Sequence, residues 1–176
     1  RIPRAGGETV FADMYAASAA LAPAERRELI GRCAVHDPQL ARWIRHGSPI
    51  AAADGGLRRM LTRLRFLARM IASPIRHPVI RVHEETGREC LFLGDHAWRI
   101  TGLRWRDGVR RVNELNDFVT AHPEWTYTHS WQAGDLLVWD NRCLLHRGTE
   151  YDVSHDARVM LRAVVVGEQV PVAAQT

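Results

Sequence analysis

The chain has 176 residues, 46% of them hydrophobic, which is enough apolar material for one core and too little length for two full domains. Its formal charge is +4 and all its lysine-plus-arginine positions are arginine, but acidic residues are interleaved with the arginines instead of leaving a one-sided basic stripe, which argues against nucleic acid as a partner. Every long apolar run is broken by Arg, Gly or Pro before the roughly 18 residues a membrane span needs, so a soluble, cytoplasmic protein without a membrane partner is expected.

Residues Arg1 to Gly7 contain neither an initiator Met nor an apolar signal core, so an N-terminally incomplete domain is expected. Cys33, Cys90 and Cys143 are widely spaced with no Cys-x-x-Cys pair, a pattern of reduced thiols and not of a disulfide or zinc framework. "FADMYAASAALAPAERRELIGR" predicts two short helices, Pro23 standing in the first turn of the second and Gly31 near its end. From Cys33 to Gly56 the residues are rich in Pro, Gly, Asp and Ser, which predicts a long loop, either a lid or disordered.

In "LRRMLTRLRFLARMIAS" the residues Leu57, Met60, Leu61, Leu64, Leu67, Ala68 and Ile71 recur at helical spacing, with Arg58, Arg59, Arg63, Arg65 and Arg69 between them. Such a helix can pack on its own domain, on a partner subunit or on a membrane surface, and the first use is the commonest. "HPVIRVHEETGRECLFLG" alternates about Glu85-Thr86-Gly87 and predicts a hairpin. A helix follows from Asp107 to about Ala121, with Val112, Leu115 and Val119 inward. Then come a strand, a Gly134-Asp135 turn and a second strand in "TYTHSWQAGDLLVWDN", and a β-branched strand in "ARVMLRAVVVGE". Late strands with helices among them suggest an antiparallel barrel or sandwich.

On an extended strand, residues i and i+4 share a face, which puts Arg158 and Arg162 about 13 Å apart on one side. Facing inward they would need two anions, for which arginine offers a bidentate grip; facing outward they are ordinary surface residues. His146, in an apolar run, is either a hydrogen-bonded core residue or a ligand.

The run "GDLLVWDNRCLLHRGTEYD" followed by "RVMLR" resembles the C-terminal signature of the taurine dioxygenase and 2,4-dichlorophenoxyacetate dioxygenase family of Fe(II)- and 2-oxoglutarate-dependent oxygenases. "GGETVFADMYAA" is similar to that family's "GG-(D/E)-T" segment, and "HPVIRVHEETGRECLFLGDHAWRITG" resembles its middle hairpin, so the likeness touches nearly the whole chain and is weakest from Gly31 to Ile75. The resemblance implies a mainly β fold with helices: a double-stranded β-helix (jelly roll) core with inserted and flanking helices. Residues 1–176 would form a single, N-terminally incomplete oxygenase domain, with 31–76 a variable lid or helical insertion.

It further implies that His146 is the distal histidine of an iron-binding triad of two His and one carboxylate. Arg158 would bind the distal carboxylate of 2-oxoglutarate with Thr9 as its helper, and Arg162 would lie near the substrate's acidic group. The cofactors implied are Fe(II) and 2-oxoglutarate, and the partners are O2 and a small anionic organic substrate such as a sulfonate, a sulfate ester or an aryloxyalkanoate-like acid, in a homo-oligomer (dimer or tetramer). The family's other two ligands sit in an His-x-Asp motif upstream of the position of Thr9, which this chain does not contain. The His-x-Glu groups His83-Glu84-Glu85 and His122-Pro123-Glu124 do not occupy its place. A metal-free jelly roll that binds small organic anions is therefore the alternative. His96-Ala97-Trp98-Arg99 stands where the aryloxyalkanoate branch reads His-Ala-Ser-His; Arg99 is either a further anion contact or a turn arginine, and Trp139 either walls the pocket or packs in the core.

Overall fold

The computed structural model describes residues 1–47, 56–72, 75–165 and 172–174. Nine short strands form three antiparallel three-stranded sheets among these residues. The first sheet carries β1 (Thr9–Asp13) between β7 (Thr126–His129) and β8 (Leu144–Gly148). The second sets β2 (Cys33–His36) between β3 (Arg76–Pro78) and β6 (Ala97–Ile100), and the third sets β4 (Ile80–Val82) between β5 (Glu89–Leu91) and β9 (Val172–Ala173).

Local chemistry accounts for the helices. Asp13 ends β1 and caps α1 (Met14–Ala19), its carboxylate accepting the Tyr15 and Ala16 amides at 2.7 and 3.2 Å. α2 (Pro23–Leu29) begins with Pro23 in its first turn and is followed by Gly31 at a φ of 73°, a conformation that favours glycine. α5 (Trp105–Thr120) buries Val112, Leu115 and Val119 as its spacing predicts. These side chains meet Met14, Leu29, Ile80, Leu91 and Ile100 in the main core.

Three expectations change. Cys33 to His46 is not a loop: β2 pairs on both edges with buried Ala34 and Val35, and α3 (Pro38–His46) starts at Asp37, whose carboxylate accepts the Gln39 and Leu40 amides. Pro38 in the first turn is a helix-start signal that a reading for loop composition passes over; residues 48–55 lie outside the described residues. The helix α4 (Gly56–Ala72) is present, but Phe66 and Met70 are the side chains packed on the domain, against a small cluster of Val35, Leu40, Ala41 and Trp98. Leu57, Met60, Leu61, Leu64, Leu67 and Ile71 face outward.

Lastly, neither Leu136–Asp140 nor Ala157–Val165 joins a ladder; Leu136, Val138, Leu161 and Val165 are exposed. The 157–165 segment instead runs beside the chain's first residues, with the Val159 amide donating to the Arg1 carbonyl at 2.9 Å and Arg4 paired with Asp156 at 3.1 Å. The remainder of the expected last strand, 166–168, lies outside the described residues. No helix among the described residues is long and apolar enough to cross a membrane.

Candidate functional site

The β1–β8 ladder sets Thr9 and His146 on one side of the sheet, and Arg158 reaches Thr9 from outside the ladder. Its register pairs Thr9 with Gly148 and Phe11 with His146, so Thr9 and Phe11 share one face of β1 and His146 points to that same side from β8. Gly148 adds no side chain opposite Thr9. The space there is taken by two donors: Trp131 Nε1 reaches Thr9 Oγ1 at 2.9 Å and Arg158 Nη2 reaches it at 3.2 Å. Arg158 is also anchored through Nε, which donates to the Gly7 carbonyl at 2.8 Å.

Gly7 has a φ of 74°, and a Cβ there would stand 2.8 Å from Pro3 and 3.3 Å from the Arg158 side chain. The glycine of "GGET" is thus required twice, once by its backbone and once by the close approach of the guanidinium stem. The two contacts leave Arg158 half-buried with one edge of its fork uncommitted among the described residues. Thr9, only 6% exposed, has both oxygen lone pairs occupied and its own proton free to point at an acceptor. A half-buried guanidinium beside an inward hydroxyl donor is a receptor for a carboxylate or another oxyanion.

His146 is not the core histidine that an apolar run suggests. Its ring keeps an exposed edge while Trp139 stands edge-on at 5.1 Å and Phe11 lies 6.1 Å away, and no hydrogen bond to it occurs among the described residues. Partial burial, then the Arg162 charge, then His96 push its pKa below the ordinary imidazole value. A neutral imidazole with an open edge is the form that binds a metal ion. Arg162 is exposed near His146, and therefore does not share Arg158's environment: one arginine is clamped against β1, the other is solvated. The unladdered backbone of 157–165 separates them.

The other candidates are placed elsewhere. His83 is buried and bonded to Asp140, while Glu84 and Glu85 turn to Arg142, so the hairpin's His-x-Glu does not converge. His122 pairs with Glu124 at 2.9 Å and stacks on Trp125 at the surface. Arg99 belongs to β6 and not to a turn; its guanidinium lies 4.8 Å from the Trp105 ring. The residues missed by sequence reasoning are Trp131 and Phe11. Phe11 is signalled by the two-residue alternation from Thr9, whereas nothing local marks Trp131, whose partner is 122 positions away.

Donor atoms of His83, Asp140 and Cys143 lie within 4.8 Å of one another, the one such group of three among the described residues, and it excludes His146. It is poorly suited to a metal. The Arg142 guanidinium contacts both Asp140 oxygens at 2.7–3.0 Å and holds that carboxyl well below the usual range, and burial pushes the Cys143 thiol up. An arginine already occupies the carboxylate and the sulfur is kept protonated.

The comparisons with known proteins point to one family. The family described as "Taurine catabolism dioxygenase TauD, TfdA family" matches residues 1–164. The chain is 36% identical over 168 residues to the alpha-ketoglutarate-dependent 2,4-dichlorophenoxyacetate dioxygenase of Burkholderia sp. (strain RASC), across 96% of this chain and 51% of that protein. It is 31% identical over 167 residues to an alkylsulfatase of Acinetobacter baylyi (strain ATCC 33305 / BD413 / ADP1), across 95% of this chain and 50% of the relative. The crystal structure of AAD-2 in complex with Mn(II) and N-oxalylglycine superposes with a TM-score of 0.70 at 28% identity, covering 89% of this chain and 56% of that one. The chain spans about half the length of the curated relatives it matches. Its sheets and helices are those of a jelly roll with added helices, and the match along residues 1–164 together with these identities shows that the chain belongs to the taurine catabolism dioxygenase TauD, TfdA family.

Proposed function

We propose that the protein is an Fe(II)- and 2-oxoglutarate-dependent dioxygenase that hydroxylates a small anionic organic substrate, a sulfonate, sulfate ester or aryloxyalkanoate-like acid, at the carbon next to a heteroatom. The observation that carries this reading is the clamp of Arg158 on Thr9 and Gly7, built on the same strand pair that presents His146. Toward 2-oxoglutarate the chain offers the free edge of the Arg158 fork and the Thr9 hydroxyl proton, a pair matched to a carboxylate. Toward a ferrous ion it offers the neutral imidazole of His146, one ligand of the three that such a site needs. Iron and 2-oxoglutarate together supply the oxidising chemistry, consuming O2 and releasing succinate and CO2 as a substrate C–H bond is hydroxylated.

The protein's own contribution is position and charge. Trp131 holds the Thr9 hydroxyl in place, Trp139 and Phe11 flank the His146 ring, and Arg162 supplies a positive charge beside it that favours an anionic substrate. The names of the two relatives, one for a phenoxyacetate and one for alkyl sulfates, support an anionic substrate class. The test is His146→Ala in the intact protein. The substitution should abolish both Fe(II) binding and conversion of 2-oxoglutarate to succinate. A metal-free anion-binding jelly roll predicts unchanged 2-oxoglutarate binding in that variant and no iron in the wild type.

A further inference from the structure

A charged cluster outside this site lies where the β4–β5 hairpin meets the residues leading into β8. His83, 4% exposed, sets Nε2 3.0 Å from Asp140 Oδ2. Asp140 is folded back on Arg142, whose amide and Nε meet Oδ1 at 2.7 and 3.0 Å and whose Nη2 meets Oδ2 at 2.7 Å. Arg142 then reaches across to Glu84 at 3.4 Å and Glu85 at 3.1 Å. The backbone is tied down as well: Arg81 Nη2 donates to the Arg142 carbonyl at 2.6 Å, and the Met14 amide donates to the Cys143 carbonyl at 3.0 Å. The Asp140 carbonyl accepts the Leu144 amide at 3.2 Å, at the first residue of β8.

This cluster sits four to six residues before His146, on the only covalent approach to β8 from its N-terminal side. A strand's facing has a period of two, so a one-residue slip of β8 along β1 would turn His146 to the opposite side of the sheet. Beyond its ladder with β1, the side chains of β8 add little against such a slip, because Leu144 and Leu145 are only half-buried and Arg147 and Gly148 are exposed. After β8 the Thr149 amide donates to the Glu8 carbonyl at 2.9 Å, and the approach supplies the restraint at the other end. There a buried imidazole, a carboxylate and a guanidinium are joined across 57 residues of sequence between His83 and Asp140.

We infer that His83, Asp140 and Arg142 are positioning residues, which lock the start of β8 to the β4–β5 hairpin and so fix the register that aims His146 into the site. The inference rests on the proposed reading of His146 as a metal ligand. Changing a partner that only orients a ligand costs about ten- to a hundredfold in metal affinity when the contact is direct. Here the restraint acts through four to six residues of backbone, so about tenfold is expected.

The experiment measures Mn(II) binding, and N-oxalylglycine binding at saturating Mn(II), on the intact wild-type protein and its His83→Gln, Asp140→Asn and His146→Ala variants. His83→Gln and Asp140→Asn should weaken Mn(II) about tenfold while N-oxalylglycine, gripped through Thr9 and Arg158, stays within about twofold. His146→Ala should lose Mn(II) binding altogether. If Mn(II) affinity survives both positioning variants but is lost in His146→Ala, the inference is overturned and the ligand reading stands. If His146→Ala still binds Mn(II) as the wild type does, the ligand reading falls and takes the inference with it. Parallel loss of Mn(II) and N-oxalylglycine affinity that tracks a lower Tm also overturns it, since a merely structural lock would give that result. Should Asp140→Asn fail to fold, His83→Gln leaves the Asp140–Arg142 pair intact and carries the test.

Discussion

Thr9 is where the proposed anion site is most sharply exposed to test, because one atom holds it together. Valine has nearly the shape of threonine, so Thr9→Val leaves no cavity and removes one acceptor from under two donors. Trp131 Nε1, at 2.9 Å, loses a neutral hydrogen bond, about 1 kcal/mol; Arg158 Nη2, at 3.2 Å, loses a charged one, about 1.5–3 kcal/mol if nothing replaced it. Arg158 keeps its bond to the Gly7 carbonyl and is half-exposed, so water recovers part of the second loss. A net destabilisation of about 2–3 kcal/mol is expected, which for a chain of this length lowers Tm by roughly 4–12 °C. The cosubstrate loses the hydroxyl donor as well, and a lost charged hydrogen bond of about 1.5–3 kcal/mol corresponds to roughly ten- to a hundred-and-fifty-fold weaker 2-oxoglutarate binding. Thr9→Ser keeps the hydroxyl and should remain within about twofold of wild type for 2-oxoglutarate. Urea unfolding gives the stability and calorimetric titration at saturating metal gives the affinity. If Thr9→Val stays within about 0.5 kcal/mol of wild type, an ordinary surface effect, and binds 2-oxoglutarate equally well, the hydroxyl is not the junction of this site.

The two arginines should separate in their effects. Arg158→Ala should weaken 2-oxoglutarate by about thirty- to a hundred-and-fifty-fold with substrate binding largely intact, and Arg162→Ala should weaken an acidic substrate by a similar factor while sparing substrate-independent decarboxylation; titrating each variant against both ligands decides it, and equal effects on one ligand would refute the separation. Stability should also carry a histidine signature. Burial first, then the charges of His77, His96 and Arg81, push His36 from 6.5 down to about 4. The folded state holds this ring neutral while the unfolded chain protonates it below about 6.5, so the contribution is complete above that pH and is lost as pH falls through about 4. At 1.36 kcal/mol per unit this amounts to about 3 kcal/mol. Urea midpoints between pH 7 and 4 should show the decline, and His36→Phe, which keeps an aromatic ring for the stack on Phe92, should flatten it.

What was legible in the sequence was whatever depends on near neighbours. The faces of α5 and the β4–β5 hairpin follow from 3.6- and 2-residue periodicities, and the turn from the glycine in Glu85-Thr86-Gly87, which adopts a φ of 67°. In the segment from Cys33 to His46, Asp37 and Pro38 have the composition of loop breakers, yet the same two residues form a cap and a first turn. The expected strand at 157–165 failed for a different reason. Val, Met and Leu report suitability for a half-buried pleated surface, and a strand also needs an edge to pair with.

The candidate site divides along the same line. His146, Arg158 and Thr9 could be matched by resemblance one at a time, but their assembly could not be read locally: Arg158 meets Thr9 across 149 positions, and His146 shares a face with Phe11 only because β1 and β8 pair in one register and not its neighbour. Nothing in their own segments marks Trp131 or the contacts that join His83, Asp140 and Arg142. Each becomes meaningful only at the far end of a long-range contact. The division has a physical source. A residue that reacts or ligates is chosen for its functional group, which is visible in its type, whereas a residue that aims it is chosen for where the chain returns to, and that is a property of the fold. In this protein the returning segments converge on β1: its five residues receive β7 and β8 on their two edges, and Thr9 at their start receives Trp131 and Arg158. β1 is therefore the element on which the proposed ligand and the proposed anion clamp depend together, and a substitution that shifted its register would disable both at once.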